Sequence, residues 1–254
     1  MYKGFNLSFD KNFFQFMKQG EELSTQYRTV IMQKMDAFLT DDGKLDGSRL
    51  QEHWFPQVHA DVFISHSHND LNVATALAGW LFDSFGLKPF MDSCVWGCAD
   101  DLLKRIDKKY CRNPDGETYS YSKRNGSTSH IHMMLSTALG MMIDSTECLL
   151  FLNTPNSISS EDAVLKTQSP WLFMEIAMSR IIRRKSPDKH RHIMTIDESL
   201  ELKKIEAKFT FEYKVNLASL TNINWSTLMT WKSSHVKGKE HPLDTLYRIS
   251  KSLE

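Results

Sequence analysis

The residues Ala60-Asp61-Val62-Phe63-Ile64-Ser65 form a short apolar run that opens into a polar stretch, His66-Ser67-His68-Asn69-Asp70. A run of this length and type predicts a strand buried on both faces, which calls for a parallel sheet covered by helices. The sequence that follows keeps that rhythm. Leu71 to Phe85 predicts a strongly apolar helix with Gly86 as its C′ residue. Leu87 to Asp92 predicts a second strand, His130 to Ile143 a helix, and Glu147 to Asn153 a third strand. After a polar loop a helix opens at Ser169, with Pro170 at its first position. His190 to Ile196 predicts a fourth strand and Phe209 to Val215 a fifth. Leu243, Leu246, Tyr247, Ile249 and Leu253 predict a terminal amphipathic helix. Alternation of this kind implies an α/β protein, doubly wound, with about five parallel strands and helices on both faces.

Residues 1–58 lack that rhythm and read as an N-terminal helical extension. Phe13, Phe14, Phe16, Met17, Leu23, Tyr27, Val30, Ile31, Met35 and Phe38 give an apolar face with broken helical spacing. Gly20 marks a kink or a helix junction, and Asp41-Asp42-Gly43 a stop. Ser48 to Trp54 predicts a short helix closed by Pro56. Asp41 to Glu52 fits a calcium loop in neither register. Started at Asp41, the turn position holds Asp46; started at Asp42, Lys44 takes a ligand place and His53 replaces the bidentate Glu.

Charge gives no sign of a polyanion as partner, since 31 Lys and Arg balance 31 Asp and Glu. A local basic patch at Arg180, Arg183, Arg184 and Lys185 is the exception. No apolar run suits a signal peptide or a membrane span, so neither nucleic acid nor membrane is expected as partner. Four scattered cysteines make no disulfide framework, and a reducing cytoplasm is the expected compartment.

In a doubly wound sheet the ligand crevice lies beyond the carboxyl ends of the strands, where strand order reverses. Ser65-His66, Asp92-Ser93 and Asn153-Thr154 hold those ends. The helix from Ser169 brings Trp171 and Glu175 to the same rim, four residues apart and on one face. Its other residues, Leu172, Phe173, Met174, Ile176, Ala177, Met178, Ile181 and Ile182, predict a mostly buried helix. A carboxylate there either lies on an exposed edge and favours the positive helix N-terminus, or serves a ligand.

Three stretches together resemble the Toll/interleukin-1 receptor (TIR) domain of bacterial type. They are Asp61 to Ser67, Leu87 to Asp92 with the loop after it, and Ser169 to Glu175, which is similar to the Trp-x-x-x-Glu helix of the enzymatic members. The resemblance spans residues 59–254 and implies a flavodoxin-like sheet. It implies cleavage of the nicotinamide–ribose bond of NAD, with Glu175 catalytic and Ser65, His66, Asp92, Trp96 and Trp171 lining the site. NAD would be substrate, no cofactor being needed. The product would be ADP-ribose, a cyclic isomer or a conjugate. The family further implies cytoplasmic antiphage defence of the Thoeris kind, a homo-oligomer through TIR–TIR contacts, and a downstream effector that senses an ADP-ribose-derived signal. A non-enzymatic TIR adaptor acting by self-association and a nucleoside deoxyribosyltransferase-like enzyme are the alternatives.

Residues 93–129 depart from the family as a long insert between the second strand and the His130 helix. Ala99 to Tyr110 predicts an extra helix, and Asn125-Gly126 a turn. The insert is either a lid or binding loop carrying Trp96, or a structural element packed on the domain. The pairs His66/His68, His130/His132 and His190/His192 lack a third ligand, so no metal site is expected. Neither a Gly-x-Ser-x-Gly elbow nor a Gly-x-Gly-x-x-Gly loop occurs, which argues against a serine hydrolase and a redox dinucleotide enzyme.

Overall fold

A computed structural model describes residues 1–9, 11, 13–28, 38–39, 45–91, 93–161, 164–191 and 213–251. In chain order its strands are β1 (Lys3–Ser8), β2 (Val62–Ser65), β3 (Pro89–Met91), β4 (Cys148–Leu152), β5 (Ser159–Glu161), β6 (Val164–Thr167), β7 (Tyr213–Lys214) and β8 (Thr221–Asn224). Its helices are α1 (Met17–Arg28), α2 (Gly47–Trp54), α3 (Leu71–Phe85), α4 (Ser93–Tyr110), α5 (Tyr121–Ser145), α6 (Pro170–Ile181), α7 (Pro187–Arg191), α8 (Trp225–Ser234) and α9 (Pro242–Ser250).

The main sheet has five strands in the order β3-β2-β4-β1-β8, every neighbouring pair parallel. Helices cover both faces, so the doubly wound α/β expectation holds. Counted from β2 as first, the order is the flavodoxin-like 2-1-3-4-5. The strand in fourth place, however, is β1 from the start of the chain.

That strand corrects the reading of residues 1–58 as a helical extension. Phe5 pairs with Leu150 on one side and Thr221 on the other, so β1 lies inside the sheet. Cys148 to Leu152 is wholly buried, and its backbone groups need ladder partners on both flanks. Strand β2 supplies one flank and β1 the other. Helices α1 and α2 are helical as expected. Gly20, though, lies inside α1 and is no junction. A Cβ added there would stand 1.9 Å from the Thr75 carbonyl oxygen, and one added at Gly79 would stand 2.0 Å from the Phe16 carbonyl oxygen. The two glycines let α1 and α3 touch backbone to backbone. Val30, Ile31, Met35 and Asp41-Asp42-Gly43 fall outside the described residues.

Two further strands need correction. His190 and Arg191 close helix α7, and residues 192–196 lie outside the described residues. Tyr213 and Lys214 form β7, which pairs antiparallel with β6 in a separate sheet of order β5-β6-β7. The polar loop before Ser169 contains the β5–β6 hairpin.

The insert consists of α4 and the start of α5, joined by a turn over residues 111–120 that an Arg112–Tyr119 bridge closes. Strand β3 ends at Met91 and α4 starts at Ser93, so no long loop follows the second strand. Ala99, Leu102 and Ile106 are buried against Phe63 and Phe90, which makes α4 a packed element and not a lid. The Asn125-Gly126 turn signal lies within α5. Ser120 accepts a bond from the Lys123 N–H at its start. Asp107 of α4 then holds the first turns through Arg124 Nε at 2.9 Å and Ser127 Oγ at 2.7 Å.

The core lies on both faces of the sheet. Val62, Ile64, Cys148, Leu150 and Leu152 face α3, α8 and α9. Phe63, Leu149 and Phe151 face α2, α4, α5 and α6. This period of two fixes where the strand-end side chains go.

Candidate functional site

Ser65 stands two residues after Phe63 and so shares its face, which is the face covered by α6. Ser169 caps that helix by accepting a bond from the Leu172 N–H at 3.2 Å. The cap sets the helical phase. Leu172, Glu175, Ile176 and Ser179 then form the buried stripe, while Phe173 and Ile181 are exposed. The helix is therefore buried along one stripe only, in contrast with the expectation from its composition. Glu175 nonetheless falls on the inner side, with 0% of its surface accessible. The exposed-edge alternative for this carboxylate is thereby removed.

Ser65 Oγ donates to Glu175 Oε2 at 2.5 Å. The bond joins the carboxyl end of β2 to α6. Sheet order reverses between β2 and β4, because the chain runs from β2 to β3 on one side and from β4 towards β8 on the other. The Ser65–Glu175 pair thus sits at the switch point. His66 is also buried, with its Nδ1 at 3.2 Å from the Ile64 carbonyl oxygen. A carbonyl only accepts, so Nδ1 is the donor in that bond. Trp171 is half-buried and meets His132 of α5 edge to face, ring centroids 5.5 Å apart.

The structure thus brings Ser65 to Glu175, sets His66 beside Ser65 in the chain, and places Trp171 one helical turn before Glu175. Asp92 lies outside the described residues. Trp96 belongs to α4, but its side chain is likewise outside what the structure describes.

Sequence reasoning passed over Asp70. It ends the polar loop after β2, where it reads as an N-cap of α3, yet its side chain makes no cap bond. Its carboxylate, 5% exposed, instead accepts from Thr154 Oγ1 at 2.5 Å and Asn156 Nδ2 at 2.7 Å. The signal available was position: Asp70 and Thr154 follow two strands that the apolar runs predict to be central.

Elsewhere, His190 Nδ1 meets the Ser145 carbonyl at 3.0 Å. Among the described residues no group of three His, Cys, Asp or Glu could hold a metal ion, and none of their helices is long and apolar enough to cross a membrane. Fold and site define a doubly wound α/β protein with a serine-held buried glutamate at the switch point. No family model, curated protein or solved structure matches the chain.

Proposed function

We propose that the chain is a TIR-like NAD nucleosidase in which Glu175 is the catalytic carboxylate. The observation that carries the reading is a glutamate withdrawn from solvent at the switch point and held by the Ser65 hydroxyl. Burying a carboxylate is costly, and this one stands where ligands of such sheets bind. The C1′–N bond of NAD breaks with its electron pair passing to the pyridinium nitrogen, so neutral nicotinamide leaves. The ribosyl group gains oxocarbenium character, which the Glu175 carboxylate opposes. Water then adds at C1′ and loses a proton to give ADP-ribose, or an adenine nitrogen adds to give a cyclic isomer. Ser65 orients the carboxylate. His66 and Trp171 shape the pocket, with Asp92 and Trp96 as further lining residues. Because Glu175 has no accessible surface, the rim opens to admit NAD. Self-association of the chain, a downstream effector that senses the product, and a role in cytoplasmic antiphage defence complete the proposal.

The same zero exposure favours a second reading, a TIR-like adaptor that self-associates and turns nothing over. Incubation of the purified chain with NAD, and separately with a deoxynucleoside, followed by mass spectrometry of the products, decides. Release of nicotinamide supports the first reading. An unchanged NAD pool at protein concentrations where the chain self-associates supports the second, and base exchange on the deoxynucleoside alone supports a deoxyribosyltransferase.

A further inference from the structure

We propose that Asp70 is a positioning residue: its carboxylate clamps the turn after β4 to the turn after β2 and so sets the width of the crevice that receives NAD. The inference rests on the NAD-cleaving reading and names a residue that reading does not use.

The ladder between β2 and β4 ends with the pair Ser65 and Phe151. Beyond it the two turns are joined by side chains, Thr154 and Asn156 on one and Asp70 on the other. The β4 turn is braced internally. Ser157 Oγ accepts from the Thr154 N–H at 2.8 Å, and the Ser157 and Ile158 N–H groups donate to the Thr154 carbonyl at 3.0 and 3.1 Å. A braced turn moves as a unit, so one carboxylate holding two of its side chains fixes the whole turn. Asn156 is exposed, which leaves this half of the clamp open to water. Asp70 itself faces the turn, and a carboxylate turned on the diphosphate of NAD would repel it. Its effect on the reaction is therefore through the walls of the crevice.

A wall that binds substrate equally in ground and transition states acts on KM and leaves kcat alone. In Asp70→Ala we expect KM for NAD to rise roughly tenfold, the scale of lost hydrogen bonds to a charged group, with kcat within about twofold. Asp70→Asn keeps an acceptor for Thr154 and should fall between. Asn156→Ala removes one bond from an exposed position and keeps the test open if Asp70→Ala does not fold. Amide exchange at Ser157 and Ile158 should quicken in both alanine variants while the amides of β4 stay protected. A merely structural residue would lose active protein, lowering apparent kcat and the melting temperature at unchanged KM, and that result overturns the proposal. If the wild-type chain does not cleave NAD, the NAD reading fails instead. Exchange at Ser157 and Ile158 then decides the clamp alone, and exchange unaffected by Asp70→Ala overturns it.

Discussion

Single residues matter in this molecule chiefly where charge is buried, and Glu147 is the plainest case. It is 3% exposed, accepts two bonds from Arg191 at 2.9 Å each, and takes the Tyr247 hydroxyl at 3.0 Å. Arg191 also pairs with Asp244. Removing Arg191 leaves a buried carboxylate with most of its neutralising charge gone. Arg191→Ala should cost about 2–3 kcal/mol in urea unfolding, below the loss for a fully buried pair because Arg191 itself is 30% exposed. The same corner sets the pH dependence. Burial holds His190 and His241 below their ordinary 6.5, and the Arg191 hydrogen bonds hold Asp244 below 3.8. Near pH 6.5 the unfolded imidazoles take up protons that the folded ones refuse until lower pH. The unfolded state is thereby favoured, so the melting temperature should fall as pH drops below about 6.5. It should fall again below about pH 3.8, where the unfolded Asp244 protonates first. A melting temperature unchanged from pH 7 to pH 5 would contradict the buried-histidine part.

At the scale of elements, the two glycine contacts decide how α1 sits on α3. A methyl group at Gly20 or Gly79 would meet backbone atoms, which cannot turn aside as a side chain can. Gly79→Ala should force the helices apart and cost at least about 2 kcal/mol by thermal unfolding, the overpacking scale. Gly126 is the opposite case, because a Cβ there meets nothing within 4 Å inside α5. Gly126→Ala should stabilise by about 0.5–1 kcal/mol. In the sequence Gly20 reads as a kink or junction and Gly126 as a turn, yet both lie inside helices, because a glycine's meaning depends on what approaches it. Strands β2, β3 and β4 and helix α3 were legible because continuous apolar runs and the Gly86 stop, at φ 69°, leave little choice. Strands β1 and β8 were not. Lys3 to Ser8 and Thr221 to Asn224 carry few apolar residues among glycine and asparagine, and only pairing makes them strands. One such pairing is a side-chain bond between Asn6 and Asn222 at 2.7 Å. Of the candidate site, the strand end at Ser65 and the helix opening at Ser169 were legible, whereas the burial of Glu175 was not, because the sequence leaves an exposed edge open. The Asp70 clamp was not, because a cap and a cross-link have the same residue type.

For the molecule as a whole, the position of β1 changes what an N-terminal deletion means. A removable extension would leave a folded protein, whereas removal of residues 1–9 strips β4 and β8 of their common neighbour. Truncation from residue 10 should give a chain without a cooperative melt, and a folded truncation would show that the sheet closes without β1. Assembly is decided at the same scale. A site completed between protomers would give specific activity that rises with concentration, because association then makes the catalyst. Constant turnover per mole across a hundredfold dilution would place the whole site in one protomer. The central claim is that Glu175 is the reacting carboxylate of the switch point. NAD turnover by purified Glu175→Gln, beside wild type at matched circular dichroism, tests it most directly. The amide keeps the shape and loses the charge that opposes the oxocarbenium ion, so turnover should drop at least about a hundredfold. Turnover by a folded Glu175→Gln protein near the wild-type rate would contradict it.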